Sequence, residues 1–234
     1  MKQVIAMHGW AGSPCTWGHW QAVFEAKGWI WCNANRGYDG STPEQPNWSI
    51  DAQRRVLIAH SLGWHLIDEA TLTQATELIL LASFGRFIPD GRPGRRLQTG
   101  LEGMFRSLEQ GEGLAMLERF MAQVAHPLPS SALPPNRLLQ TGITATGLTR
   151  LTRDLHTLKA TDRAPSGLPV DARFLLIHGS ADAVVTPEAH QDLVDELRDR
   201  CIRPPNVQPW SNLGHALITP AVLNTVTEWL NTET

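Results

Sequence analysis

Cysteine is scarce in this chain, with Cys15, Cys32 and Cys201 the three among 234 residues. An odd set with no CxxC pair and no metal-type spacing argues against a disulfide framework and against a zinc site, and predicts three reduced thiols. Long apolar runs are also missing. No stretch reaches the roughly 18 to 20 residues that span a bilayer, so an integral membrane protein is not expected. Ahead of the first strand-like run, Gln3 to Met7, there is no charged leader, apolar h-region or small-residue cleavage site, and the expectation is a cytoplasmic protein. No low-complexity run or Gly/Ser-rich linker divides the chain, and its length suits one well-buried core carrying an insertion. Neither a nucleic acid nor a membrane is expected as a partner.

Six apolar, β-rich runs are present: Val4 to Met7, Trp29 to Asn33, Val56 to Ala59, Leu78 to Ala82, Phe174 to His178 and Asn206 to Trp210. Near-continuous apolar strands alternating with helical patterns indicate a parallel sheet covered on both faces. At the end of the chain, Val222, Leu223, Val226, Trp229 and Leu230 recur at helical spacing behind Pro220, which predicts a last helix packed on the sheet. The middle stretch, residues 85–164, has helical segments such as Gly113 to Ala125 and Thr149 to Leu158, loops rich in Pro and Gly, and no convincing strand. It reads as an α-helical cap inserted between strands, over the strand ends where sites form in parallel sheets. Residues 1–84 and 165–234 then form the core. Between residues 86 and 163 there are ten Arg and one Lys against seven acidic residues, a net of about +4, which leaves the remainder at about −7.

Chemistry enters at Val56 to Leu66, where a strand runs into Ala59-His60-Ser61-Leu62-Gly63. A serine at the apex of a sharp turn between strand and helix, with small residues two before and two after it, is a nucleophile elbow. The usual pattern is G-x-S-x-G, and Ala59 replaces its first Gly. Read alone, Ser61 could also merely cap the next helix. A serine hydroxyl needs an imidazole to take its proton, and the imidazole needs a carboxylate to orient it. In the α/β-hydrolase fold these follow in the order Ser, acid, His. The strand Phe174 to His178 leads into Gly179-Ser180-Ala181-Asp182, and the next strand leads into Ser211-Asn212-Leu213-Gly214-His215. Ser61, Asp182 and His215 are therefore the predicted catalytic set, with backbone N–H groups of Trp10 and Leu62 as the oxyanion hole. The expected architecture is an α/β-hydrolase fold, a mainly parallel sheet flanked by helices with a helical cap, working without metal or organic cofactor. His60 is expected to point away from the elbow, and His156, His178 and His190 to be structural.

These residues resemble the pimeloyl-acyl carrier protein methyl ester carboxylesterases of biotin synthesis. The likeness lies in His8-Gly9-Trp10, Ser61-Leu62-Gly63, Leu117-Glu118-Arg119-Phe120, Gly147-Leu148 through Leu151, and Asp154-Leu155. It implies that Trp10, Leu62 and Phe120 contact substrate and that Arg119 faces the carrier protein. The chain departs from the pattern in beginning at the strand that is usually third, in the short link Ser41 to Arg54, and in Arg36-Gly37-Tyr38-Asp39-Gly40-Ser41. An acidic acyl carrier protein suits a basic rim, for which Arg119, Arg150 and Arg153 on helical segments, with Arg95 and Arg96 in a loop, are the candidates. The alternatives are a general short-chain carboxylesterase or thioesterase, a cofactor-free haloperoxidase or hydroxynitrile lyase, and a non-catalytic binding protein on the same fold.

Overall fold

The computed structural model describes residues 1–232. Six strands, β1 (Lys2–Met7), β2 (Ile30–Ala34), β3 (Arg54–His60), β4 (Glu77–Leu81), β5 (Arg173–Gly179) and β6 (Asn206–Trp210), form one sheet in the order β2-β1-β3-β4-β5-β6. Every pairing in it is parallel. Helices make most of the crossovers: α1 (Gly18–Ala26) joins β1 to β2, α2 (Glu69–Thr73) lies between β3 and β4, and α7 (Pro187–Arg200) lies between β5 and β6. The link from β2 to β3 holds no helix. A final helix, α8 (Pro220–Asn231), begins with Pro in its first turn and Thr219 capping Val222 N–H.

The inner strands β1, β3, β4 and β5 are apolar over most of their length because both faces are covered. Ile5, Met7, Leu57, Ala59, Leu78, Leu80, Phe174 and Leu176 project to one side, where the inserted helices and α7 pack. Their neighbours Val4, Ala6, Val56, Ile58, Ile79, Leu81, Leu175 and Ile177 project to the other, against Trp20 and Phe24 of α1 and Val222, Leu223 and Val226 of α8. Period-2 alternation thus divides one continuous apolar string between two cores.

Between β4 and β5 the chain builds α3 (Gly91–Glu109), α4 (Gly113–Ala125), α5 (Arg137–Thr141) and α6 (Ala145–Ala160). The helix read at Gly113 to Ala125 lies at those residues, while the one read from Thr149 starts four residues earlier, capped by Thr144 on Gly147 N–H. The largest departure is α3. Four glycines and Pro93 make its sequence read as loop, and Arg95 and Arg96, expected in a loop, lie on this helix. Pro93 falls in the first turn, where its missing N–H has no intrahelical acceptor to lose. Leu97, Leu101, Met104, Phe105 and Leu108 then form the stripe that packs on the core, and tertiary burial outweighs the low propensity of glycine.

The insertion is latched to the sheet through the loop after β2. Asp154 of α6 is 1% exposed and accepts hydrogen bonds from Arg36 Nε at 2.7 Å and Tyr38 Oη at 2.8 Å. Burial, then the charge of Asp154, pushes the Tyr38 phenol well above its ordinary range, so it stays a neutral donor. A Cβ at Gly147 would overlap the Tyr38 carbonyl oxygen, and only glycine lets α6 come down on this loop.

Candidate functional site

Strand β3 ends in a sharp turn whose apex is Ser61, with φ of 55°, the left-handed region that a non-glycine residue enters at a cost. Two neighbours make the turn possible. Ala59 is fully buried under it, and a Cβ at Gly63 would lie 2.7 Å from the Met7 carbonyl oxygen. The chain leaves the turn as one stretch of 3-10 helix, Ser61–His65, where the sequence reading has a helix start. It is pinned where the buried Trp64 donates its indole N–H to the Phe84 carbonyl at 2.8 Å.

Asp182 and His215 come from loops after β5 and β6, and parallel neighbours bring those loops to the same edge of the sheet. His215 Nδ1–H donates to Asp182 Oδ2 at 2.9 Å, and the other carboxylate oxygen accepts from Val184 N–H at 2.8 Å and Val185 N–H at 2.9 Å. Burial pushes the Asp182 carboxyl up, but the charge and hydrogen bond of His215 and the two amides overcome it and hold the group below the usual carboxylate range. The carboxylate is therefore ionised and both of its oxygens are engaged. Donation from Nδ1 leaves Nε2 of His215 as the acceptor of the neutral ring. Ser61 and His215 line one cavity, and among the described residues Ser61 Oγ makes no hydrogen bond.

That cavity, of about 110 Å³, is also lined by Gly9, Trp10, Phe120, Met121, Asn136 and Ile218. Trp10 donates its indole N–H to the Leu151 carbonyl of α6 at 2.9 Å, and its ring meets Phe120 of α4 edge-on at 5.3 Å. Its backbone N–H has no acceptor among the described residues, and Leu62 N–H lies in the first turn after the elbow, where no intrahelical acceptor exists. Asn136 closes the opposite wall, capping α5 and donating to the Ala11 carbonyl at 3.0 Å.

The histidines stand differently from expectation. His60 does not turn away from the elbow: it lines the same cavity, its Nε2–H donates to the His215 carbonyl at 2.9 Å, and the two rings lie 4.7 Å apart. Burial, then the charge of His215, lowers its pKa to about 3, so the ring is neutral. His178 stacks on His190 at 4.3 Å, and its Nδ1 lies 4.0 Å from Asp182 Oδ2, near the carboxylate but with no hydrogen-bond partner among the described residues. The His60–His215 contact leaves no signal in sequence spacing, because it joins segments 155 residues apart that meet only in the folded sheet. His156 lies on Phe105, as a structural residue would.

Among the basic candidates, Arg119 and Arg153 are exposed, and Arg153 lies 3.5 Å from Asp154. Arg150 is half-buried and spent internally, donating to the carbonyls of Gly37 and Ser41. No group of three or more His, Cys, Asp or Glu among the described residues is placed to hold a metal ion, and no helix among them is long and apolar enough to cross a membrane. Cys15, Cys32 and Cys201 are free thiols.

No family model matches the chain, and no curated protein matches it. Solved structures do. An esterase from Exiguobacterium antarcticum superposes with a TM-score of 0.74 over 99% of this chain and 92% of its own, at 16% identity. A bromoperoxidase from Bacillus anthracis gives 0.72 over 98% and 91%, at 17% identity. An α/β-hydrolase enzyme from a Medee basin deep-sea metagenome library gives 0.70 over 100% and 90%, at 12% identity. Coverage of nearly the whole of each chain, with the parallel sheet and inserted helices described above, establishes that this protein has the α/β-hydrolase fold.

Proposed function

We propose that the protein is a serine carboxylesterase in which Ser61 is the nucleophile, His215 the general base and Asp182 the residue that orients it. The observation that carries this reading is the 2.9 Å bond from His215 to a buried, doubly anchored Asp182, beside a serine held at positive φ in the same cavity. His215 Nε2 takes the proton of Ser61 as Oγ attacks the ester carbonyl, and the negative oxygen rests on the N–H groups of Trp10 and Leu62. The protonated imidazole then gives its proton to the departing alcohol. Water, deprotonated by the same ring, cleaves the acyl-enzyme and returns the carboxylic acid. A fluorophosphonate probe followed by peptide mapping tests the reading: it should label Ser61 in the wild type and nothing in Ser61→Ala, which should also lose hydrolysis of short p-nitrophenyl esters. A wild type that neither reacts with the probe nor hydrolyses esters is a binding protein on this fold.

A narrower reading, hydrolysis of the methyl ester of a pimeloyl chain on acyl carrier protein, draws on the exposed Arg119 and Arg153 and on the net positive charge of the insertion. Arg150 adds nothing to it, being held by Gly37 and Ser41. Comparing the tethered ester with the free ester at low and high salt decides the point. A preference for the tethered form that salt removes supports this reading, and equal rates defeat it.

A further inference from the structure

The cavity at Ser61 is smaller than the roughly 300 to 1,000 Å³ of ordinary small-molecule pockets, at about 110 Å³. A second cavity of about 640 Å³ lies on the other side of α4, between α3, α4 and the Ala183-Val184-Thr186 stretch just after Asp182. Phe120 lines both, so the two cavities adjoin at this residue. The walls of the larger space are apolar, with Phe87, Leu97, Met104 and Met116 among them, and the two methionines give a surface that adapts to flexible chains. Two cations break this lining, Arg96 of α3 and Arg119 of α4. Neither pairs with a carboxylate among the described residues, whereas Arg86, Arg137, Arg153 and Arg163 of the insertion do, and no Asp or Glu lines the cavity.

We infer that this second cavity is the acyl site of the enzyme and that it selects esters whose acyl chain ends in a free carboxylate, the monoesters of dicarboxylic acids. The inference rests on reading Ser61 as the nucleophile. The ester group sits at Ser61, the methylene chain passes the edge of Phe120 into the apolar chamber, and the distal carboxylate meets Arg96 and Arg119. An unpaired guanidinium beside apolar walls favours such an anion, because its fork of donors matches a carboxylate while the chain covers the apolar lining; both arginines are solvent-exposed. A neutral chain gains the apolar contacts only.

The test compares kcat/KM for monomethyl esters of dicarboxylic acids of increasing length with methyl esters of equally long monocarboxylic acids. Both series are run in the wild type, in Arg96→Gln/Arg119→Gln and in Phe120→Ala. Above the length needed to pass Phe120, the wild type should prefer the anionic ester by tenfold or more. The double arginine variant should lose that preference through a raised KM while still hydrolysing the neutral series, which also shows that it is folded. Phe120→Ala should shorten the chain length at which the preference begins. Direct titration of the longer monoester into Ser61→Ala should show binding that the added arginine changes weaken at least tenfold. Equal rates for the two series, or a preference that survives the arginine changes, overturns the inference. So does a preference seen only when the acyl chain is carried on an acidic protein. Failure of the esterase reading looks different: neither series is hydrolysed and Ser61 is not labelled.

Discussion

His60 holds the backbone of His215: its Nε2–H reaches the His215 carbonyl at 2.9 Å, so the residue before the proposed nucleophile in sequence holds the backbone of the proposed base. Replacing it with alanine removes that support and leaves a gap beside the His215 ring. We expect His60→Ala to lower kcat by about ten- to a hundredfold with little change in KM, since misplacement of a base by a fraction of an ångström is enough for such losses. His60→Gln, which keeps a donor, should recover part of the rate. Steady-state kinetics of the two variants on one p-nitrophenyl ester checks this.

Asp182 fixes which nitrogen of His215 carries the proton. In Asp182→Asn the amide can donate to Nδ1, the ring takes the wrong tautomer, and kcat should fall by about 10⁴-fold with the fold intact. Labelling of Ser61 by a fluorophosphonate probe should slow in parallel. Undiminished labelling would remove Asp182 from the mechanism.

Several histidines are half-buried and held neutral. The pKa of His60 is lowered to about 3 and those of His65 and His190 to about 4, in each case by burial first. Between these values and the unfolded value of about 6.5, the unfolded chain binds more protons than the folded one, so stability rises with pH through this window and is lost as pH falls. Each such group costs at most about 1.4 kcal/mol per pH unit over that range. Urea unfolding between pH 7 and pH 5 should show a falling midpoint. A midpoint independent of pH would contradict the buried placement of these rings.

The latch between Asp154, Arg36 and Tyr38 joins the insertion to the sheet. Asp154→Ala leaves a buried arginine and phenol without their acceptor and should destabilise the protein by about 3 to 5 kcal/mol. Tyr38→Phe removes one donor and should cost about 1 kcal/mol. Exposed Arg153, 3.5 Å from the same carboxylate, should give a change close to zero when replaced by alanine. Urea denaturation of the three variants measures the ranking.

Glycine at position 63 lets the elbow approach β1. The Cβ of Gly63→Ala would fall 2.7 Å from the Met7 carbonyl oxygen, which belongs to rigid backbone, so the turn must shift. A loss of about 1 to 3 kcal/mol is expected, together with a fall in kcat as Ser61 and Leu62 N–H move. Thermal unfolding and kinetics on one preparation separate the two effects.

The sheet was legible because its signals are local. Apolar runs of strand length, bounded by turns, placed all six strands to within two residues at each end, and the order of Ser61, Asp182 and His215 followed from which strand each one ends. Helix α3 was not legible, since its glycines and Pro93 speak for loop locally and only burial of Leu97, Leu101 and Leu108 in the core beside α4 and α6 makes it a helix. Arginines divided in the same way. Sequence shows their number and charge, but Arg150 is occupied by carbonyls of a loop more than a hundred residues away, while Arg96 and Arg119 come together across two helices around one cavity. Residue types and their spacing along strands thus determined the sheet and the identity of the candidate nucleophile, base and acid, because each depends on neighbours within a few residues. Tertiary structure alone decided what those groups touch: His60 against His215, Asp182 bonded to His215, and Phe120 lining two cavities, all contacts made by chain segments that burial of apolar surface brings together.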